Sequence, residues 1–365
     1  MKNTFGTAVA VTLFGESHGA MIGAVLDGLA PGVEVDEDFI ARQLTLRRPY
    51  GAISTGRVEP DRFEIVSGVF EGRTTGTPLT ILIPNTDTRS RDYAPLRALA
   101  RPGHADYTAW AKYHGFSDYR GGGHFSGRIT AALTAAGAVA ISALRGRGVV
   151  LGTHIARCGG VSDRVFSDGD LPAELAALNE LPFAVLDAEA GARMRQAITA
   201  AASEGDSVGG VLETAVCGLP AGVGEPWFDT LEGLLAHGLF SVPGVKGVDF
   251  GGAFDHTDLH GSEYNDAFYM EDSAVRTRTN HNGGINGGIS NGMPLLIRCA
   301  VKPTPSIRKT QETVDFVRGE DATLTIEGRH DPAILHRARV VADSVTALTL
   351  CDALAMRFGT DWLGG

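Results

Sequence analysis

Two histidines stand where a proton donor would be useful. His18 lies in Phe14-Gly15-Glu16-Ser17-His18-Gly19, at the end of an apolar run that reads as a strand. A histidine flanked by Ser and Gly at a strand end can face a cleft and titrate near neutrality. His104 follows a fixed turn in Arg101-Pro102-Gly103-His104-Ala105-Asp106-Tyr107, with Asp106 placed to cap the helix that opens there. A third segment, Tyr119-Arg120-Gly121-Gly122-Gly123-His124-Phe125-Ser126-Gly127-Arg128, sets three glycines before an Ala-rich helix. Such a run can turn backbone N–H groups and a positive helix end towards an anion. Three further segments carry similar residue types. Thr279–Gly292 holds five glycines, which would let a flat ligand approach the main chain. Lys302-Pro303-Thr304-Pro305-Ser306 is a rigid, hydroxyl-bearing turn with a cation. Gly328-Arg329-His330-Asp331-Pro332 joins Arg, His and a carboxylate.

Other chemistries find no support. No Gly-Lys-Ser/Thr follows the glycine run as a Walker loop requires, and no dinucleotide fingerprint is present. There is no GxSxG or HExxH, and no cysteine placed as a nucleophile. Cys158, Cys217, Cys299 and Cys351 are far apart, form no zinc pattern, and read as reduced buried thiols of a cytoplasmic protein. Arginine for anions, histidine for proton transfer and glycine-rich walls for a planar group remain. That set points to elimination or transfer on a phosphorylated small molecule, with an aromatic, phosphate-bearing cofactor.

The charge agrees. The 365 residues carry a net charge of −11, yet residues 42–128 hold 13 basic residues against 8 acidic ones, and 12 of the 13 are arginine. Arginine is the fork-shaped donor suited to phosphate and carboxylate. An acidic chain with one Arg-dense stretch fits a small anion, whereas a nucleic-acid binder carries a continuous basic face. No uninterrupted apolar run approaches membrane-spanning length, and the N-terminus reads as a first strand, not a signal peptide.

The elements that must position these residues mix α and β. Strands are predicted at 7–14, 22–29, near 62–69, 79–83, 149–158, 208–217, 245–250 and 295–302. Helices are predicted at 35–47, near 105–114, at 126–145, 187–203, 227–240 and 338–358, with 84–104 as a loop. Residues 23–39 and 209–228 echo each other: strand, Gly-Leu turn, Gly-Val, acidic residue, helix. With no linker visible, two related halves in one compact unit fit better than separate domains, so residues 1–365 read as a single domain.

Taken together, GESHG at 15–19, RPGHADYT at 101–108, DYRGGG at 118–123, GEP at 224–226, VKGVDFG at 245–251, NHNGGINGGISNG at 280–292, KPTPSI at 302–307 and GRHDP at 328–332 resemble the chorismate synthases over nearly the whole chain. The resemblance implies an α+β fold, a β-α-β sandwich of antiparallel sheets packed with helices, assembled as a homotetramer. It implies loss of phosphate from C3 and of a proton from C6 of 5-enolpyruvylshikimate 3-phosphate, giving chorismate. This is a redox-neutral 1,4-elimination that nevertheless requires reduced FMN. By position, His18 acts as an acid on the departing phosphate with Ser17 beside it. His104 faces the flavin, and Asp331 helps the C6 proton leave. Arg47, Arg48, Arg57, Arg101, Arg128 and Arg329 form a cationic cup for the substrate's acid groups. Flavin contacts fall on His124, Phe125, Ser126, Pro243, Gly244, Gly287, Lys302, Pro303, Thr304, Pro305, Ser306 and Arg329. No metal site is implied. With no NAD(P)H fingerprint, an external flavin reductase or reductant is expected.

The chain departs from the family's usual pattern in two places. Many relatives read Arg-Ser-Ser after the glycine run, where this chain has His124-Phe125-Ser126. The loop after Arg48 lacks an arginine before Arg57. Two other classes stay open on residues alone: a polyanion-binding module built on the 42–128 arginines, and a flavoprotein that performs net redox chemistry.

Overall fold

The computed structural model describes residues 2–54, 60–86, 97–167, 169–326 and 330–364. Two antiparallel sheets, each of five strands among the described residues, enclose a layer of helices. The first is built on β1 (Ala10–Gly15), β2 (Met21–Asp27), β3 (Glu64–Ser67) and β4 (Leu79–Pro84). The second is built on β5 (Val150–Cys158), β6 (Gly210–Cys217), β7 (Val245–Phe250) and β8 (Leu295–Val301). The short strands Thr4–Phe5 and Val161–Ser162 extend their edges.

The halves repeat one topology. In space the first sheet runs β1-β2-β4-β3 and the second β5-β6-β8-β7. Helix α1 (Glu37–Arg47) lies between β2 and β3 in the chain, as α3 (Leu231–Leu239) lies between β6 and β7. Helices α2 (Thr130–Arg145) and α4 (Leu335–Phe358) each follow the last strand of a half. The echo in the sequence is therefore structural. Gly28 follows β2 with φ +79, and a Cβ there would sit 1.9 Å from the Ala8 carbonyl oxygen. Gly218 follows β6 with φ +81, and its Cβ would sit 2.2 Å from the Gly148 carbonyl oxygen. Both echoing segments need a residue without a side chain at the same step of the turn.

Helices α2 and α4 pack on each other and reach both sheets. Helix α2 is apolar on all sides because it is covered on all sides. By length and composition alone, Gly127–Arg145 would suffice to cross a membrane, although no uninterrupted apolar run marks it. It is a core helix, with 83% of its most apolar window buried in the protein. Its small residues allow close approach: a Cβ on Gly137 would lie 2.2 Å from the Cβ of Ser344 on α4. Helix α4 carries buried charges. Burial pushes the Asp343 carboxyl up to about 6, against the pull of Arg339 and a hydrogen bond from Thr153 Oγ1 at 2.6 Å. The Asp352 carboxylate accepts the backbone N–H groups of Thr7, Ala8 and Val9 at 2.6–3.0 Å, tying the start of the chain to its last long helix.

Several boundaries differ from the sequence reading. The helix predicted from 126 starts at Thr130, after a 3-10 turn, Gly127–Ile129, whose cap is Ser126. The helix predicted from 227 starts at Leu231, capped by Thr230. The last helix begins three residues early, at Leu335. The segment near 62–69 breaks at Gly68, where φ is +84. Helix Leu171–Asn179 and the hairpins Phe268–Glu271/Ala274–Thr277 and Gln311–Asp315/Glu320–Leu324 were not read from the sequence.

Candidate active site

The β1–β2 connection carries the first histidine. β1 ends at Gly15, whose φ is +95. The tight turn that follows closes from Gly19 N to the Glu16 carbonyl at 3.0 Å and leaves Ser17 and His18 buried. The glycine run packs against this turn. Ser17 N donates to the Gly123 carbonyl at 3.1 Å, and Gly121, Gly122 and Gly123 all adopt positive φ. A Cβ on Gly121 would stand 2.2 Å from Cε1 and Nδ1 of His18. One on Gly122 would stand 3.3 Å from Cε1 of His104. The two histidines thus rest on successive glycines. The run does not serve simply as an N–H cradle, since Gly122 N is spent on the Tyr119 carbonyl. It is a flat wall that two imidazoles require.

His104 is held by a compact ion cluster. Asp106 Oδ1 lies 3.0 Å from His104 Nδ1 and 2.7 Å from Arg101 Nη2, and Arg101 Nη2 is 3.0 Å from His104 Nδ1. Burial alone would raise the Asp106 carboxyl, but hydrogen bonds from Arg101 and His104 outweigh it and hold the group well below the usual range. The capping role expected for Asp106 is not what forms. The cap position is Ala105, with no side-chain bond, and the carboxylate turns back to fix Arg101 and His104.

Arg47, Arg48 and Arg128 lie together. All three reach Asp61, a buried carboxylate. Arg337 donates to the Arg47 carbonyl at 2.8 Å and pairs with Asp331. Arg57 and Arg329 lie outside the described residues. Asp61 and Arg337 were not singled out from the sequence. Asp61 lies in no glycine-rich or histidine-bearing motif, and Arg337, although next to His336, falls at the start of an apolar helix with no motif of its own.

These groups share one cavity of about 1000 Å³. It is lined by His104, Arg47, Arg48, Arg101, Arg128 and Asp331, and also by His124, Phe125, Ser126, Pro243, Gly244 and Lys302 to Ser306. His18 and Ser17 sit behind Gly121, which lines it too. Lys302 Nζ donates to the Gly103 carbonyl, joining the 302–306 turn to the His104 turn. His124 has its Nδ1 2.7 Å from the Gly15 carbonyl, and Phe125 meets Tyr113 edge-on at 6.0 Å. Gly287 is not brought in. It turns the small hairpin Ile285–Asn286/Ile289–Ser290, away from the cavity lining. Among the described residues, no three His, Cys, Asp or Glu side chains assemble to hold a metal. The Oγ atoms of Ser17 and Thr304 are buried and have no hydrogen-bond partner among the described residues. Buried hydroxyls of this kind are normally satisfied, so that of Thr304, which lines the cavity, can serve a ligand.

The arrangement can bind several acid groups and present the His104 imidazole and a carboxylate to one small molecule, with the His18 ring behind Gly121. The family model for chorismate synthase matches residues 9–355. The chorismate synthase of Archaeoglobus fulgidus is 46% identical over 355 residues, covering 97% of this chain and 98% of that protein. That of Methanosarcina mazei is 44% identical over 351 residues, covering 96% and 95%. A crystal structure of a chorismate synthase superposes with a TM-score of 0.76 at 26% identity, covering 98% of this chain and 94% of that one. The chain, with its repeated halves and its cavity of arginines and histidines, belongs to the chorismate synthase family and is a lyase.

Proposed function

We propose that the chain converts 5-enolpyruvylshikimate 3-phosphate to chorismate. The C3–O bond to phosphate breaks, the C6 proton leaves, and no net electron is gained or lost. The observation that carries this reading is the placement of His18 and His104 on consecutive glycines beside the arginine cup. Arg47, Arg48, Arg101 and Arg128 bind and orient the substrate's acid groups, with Arg57 and Arg329 as further members of the cup. His18 gives a proton to the departing phosphate, and Ser17 supports it. Asp331, oriented by Arg337, receives or relays the C6 proton. His104, locked by Asp106, holds a proton at the cofactor's edge.

The cofactor in this reading is reduced FMN, which supplies electron density to the loosening C–O bond when bound. The residues fit it. A cavity of this size suits a flavin beside a substrate, Lys302 offers a cation to its phosphate, and the unsatisfied Thr304 hydroxyl faces the same turn. His124, Phe125, Ser126, Pro243, Gly244 and Lys302 to Ser306 would hold it. Flavin fluorescence titration should show FMN binding that tightens when the substrate is present, because the substrate's acid groups complete the cation-lined site. An anaerobic assay with dithionite-reduced FMN should yield chorismate and phosphate without stoichiometric consumption of reductant. Failure to bind FMN in either state sinks the reading. Product formation that consumes one reductant per turnover selects the redox alternative.

Residues 1–365 act as one domain in this reading, since both halves share a single helix layer. The protein works as a homotetramer in the cytoplasm, with flavin reduced by an external reductase or reductant. Exposed apolar side chains support the assembly: Trp227, Phe228, Phe268 and Met270 are each more than 60% exposed. Light scattering should report four times the 38.3 kDa chain mass. A fully active, concentration-independent monomer would refute the assembly.

A further inference from the structure

Asp61 places a negative charge inside the arginine cup. It is 4% exposed, and its backbone is left-handed with φ +45, a conformation that non-glycine residues adopt at a cost. Its carboxylate pairs with Arg47 at 3.4 Å, with Arg48 at 3.8 Å and with Arg128. Several further donors of two of these forks bond neutral scaffold. Arg47 Nε donates to Thr130 Oγ1 at 2.9 Å and Nη2 to the Gly127 carbonyl at 2.8 Å. Arg128 Nε donates to Asn85 Oδ1 at 2.9 Å and Nη2 to the Pro84 carbonyl at 3.2 Å. Both guanidiniums are therefore fixed without Asp61, and both send Nη1 to the point its carboxylate occupies. Arg48 Nε is buried and makes no hydrogen bond among the described residues. A carboxylate satisfies two of the three forks, and a larger oxyanion at the same point could satisfy all three.

We propose that Asp61 is an internal anion that holds this subsite until a phosphate-sized oxyanion of the substrate displaces it. The identity of that oxyanion rests on the proposed function, whereas the subsite does not. The device has a physical purpose. Three adjacent guanidiniums, those of Arg47 and Arg128 buried and that of Arg48 half-buried, repel each other and give up hydration, so an anion among them is stabilising. One supplied by the chain keeps the cup assembled and raises the threshold for small anions. A ligand with more charge and more acceptor oxygens overcomes that threshold, because it also engages Arg48 Nε and the rest of the cavity.

The probe is inorganic phosphate, titrated by calorimetry at constant ionic strength into the wild-type chain, Asp61→Asn and Asp61→Glu. Asp61→Asn keeps the shape and removes the competing charge, so it should bind phosphate at least ~10-fold more tightly, a difference of about 1.4 kcal/mol. Asp61→Glu keeps the charge and should track the wild-type chain. Unchanged or weaker binding in Asp61→Asn overturns the proposal and makes Asp61 a residue that only orients the arginines. Equal tightening in both variants also overturns it, since disturbed packing would then be the cause. If Asp61→Asn does not stay folded in chloride, refolding on addition of phosphate supports the proposal, and failure to refold with phosphate overturns it. The readout needs no turnover. Loss of the elimination assay with this binding pattern intact removes the proposed function alone, and normal chorismate formation with unchanged phosphate affinity removes the internal anion alone.

Discussion

Gly121→Ala should lower turnover about 10²-fold or more, the range expected when a positioned acid or base is lost, while the protein still folds. The added methyl would lie 2.2 Å from the His18 ring and 2.8 Å from Ser17 Oγ. A real Cβ cannot approach so closely, so the imidazole must leave its place. The backbone there has φ +58, which adds local strain but breaks no element of the core. His18→Ala should give a loss of the same order. The double variant should be little worse than either single one, because both remove the same group. Gly122→Ala should cost less, since its methyl would meet His104 at 3.3 Å, where a small shift suffices. His104→Ala should itself lose about 10²-fold, and Asp331→Ala should enlarge the isotope effect with C6-deuterated substrate. The measurements are anaerobic kcat and a thermal melt for each variant. Near wild-type turnover in Gly121→Ala would show that His18 does not act from this position. A melt that falls in step with activity would assign His18 a packing role.

Asp106→Asn should be strongly destabilising. Arg101 and Asp106 have side chains only 6% and 9% exposed, and the carboxylate receives Arg101 N, Nε and Nη2. Removing one partner of a buried pair leaves an uncompensated charge and costs about 3–5 kcal/mol. Turnover should fall as well, because His104 loses the group that fixes its ring. The pH dependence has a definite sign. The folded-state carboxyl lies below its ordinary value of 3.8, so the folded protein releases this proton more readily than the unfolded chain. The stabilisation is therefore complete above the ordinary carboxylate range and is lost as pH falls below it. Chemical denaturation from pH 7 down to pH 2 should show the wild-type advantage over Asp106→Asn shrinking only in the most acid part of that range. An advantage unchanged across it, or absent at pH 7, would remove Asp106 from this role.

Much of the architecture was legible because glycine and proline punctuate the chain. The paired turns at Gly28 and Gly218 revealed the repeat before any topology was known, since a positive φ at both positions leaves a mark in composition. The strands carrying Ile22, Ile81 and Ile297 were legible as apolar runs. Hairpins such as Phe268–Glu271/Ala274–Thr277 were not, because both faces are largely exposed and no alternation develops. In the site, the histidines and the glycine wall were visible in short motifs. Asp61 and Arg337 were not, because their roles depend on ion pairs closed across 67 and 6 residues by the fold. The reading of Asp106 as a cap failed for a related reason. A carboxylate at a helix start has a local partner available, but the stronger cationic one lies five residues back.

The bonds from Thr7, Ala8 and Val9 to Asp352 set an order of events during synthesis. Their donors and acceptor are separated by some 345 positions, and the helix that carries Asp352 also covers the inner faces of both sheets. A nascent chain leaving the ribosome can pair β1 with β2 and lay α2 on that sheet early, yet the face of α2 that packs on α4 stays open until α4 has been made. Domains that can close as they emerge hide such surfaces promptly, and this chain cannot. Translation products arrested before α4 should therefore be sticky and quickly degraded, and chaperone engagement should persist until α4 has emerged.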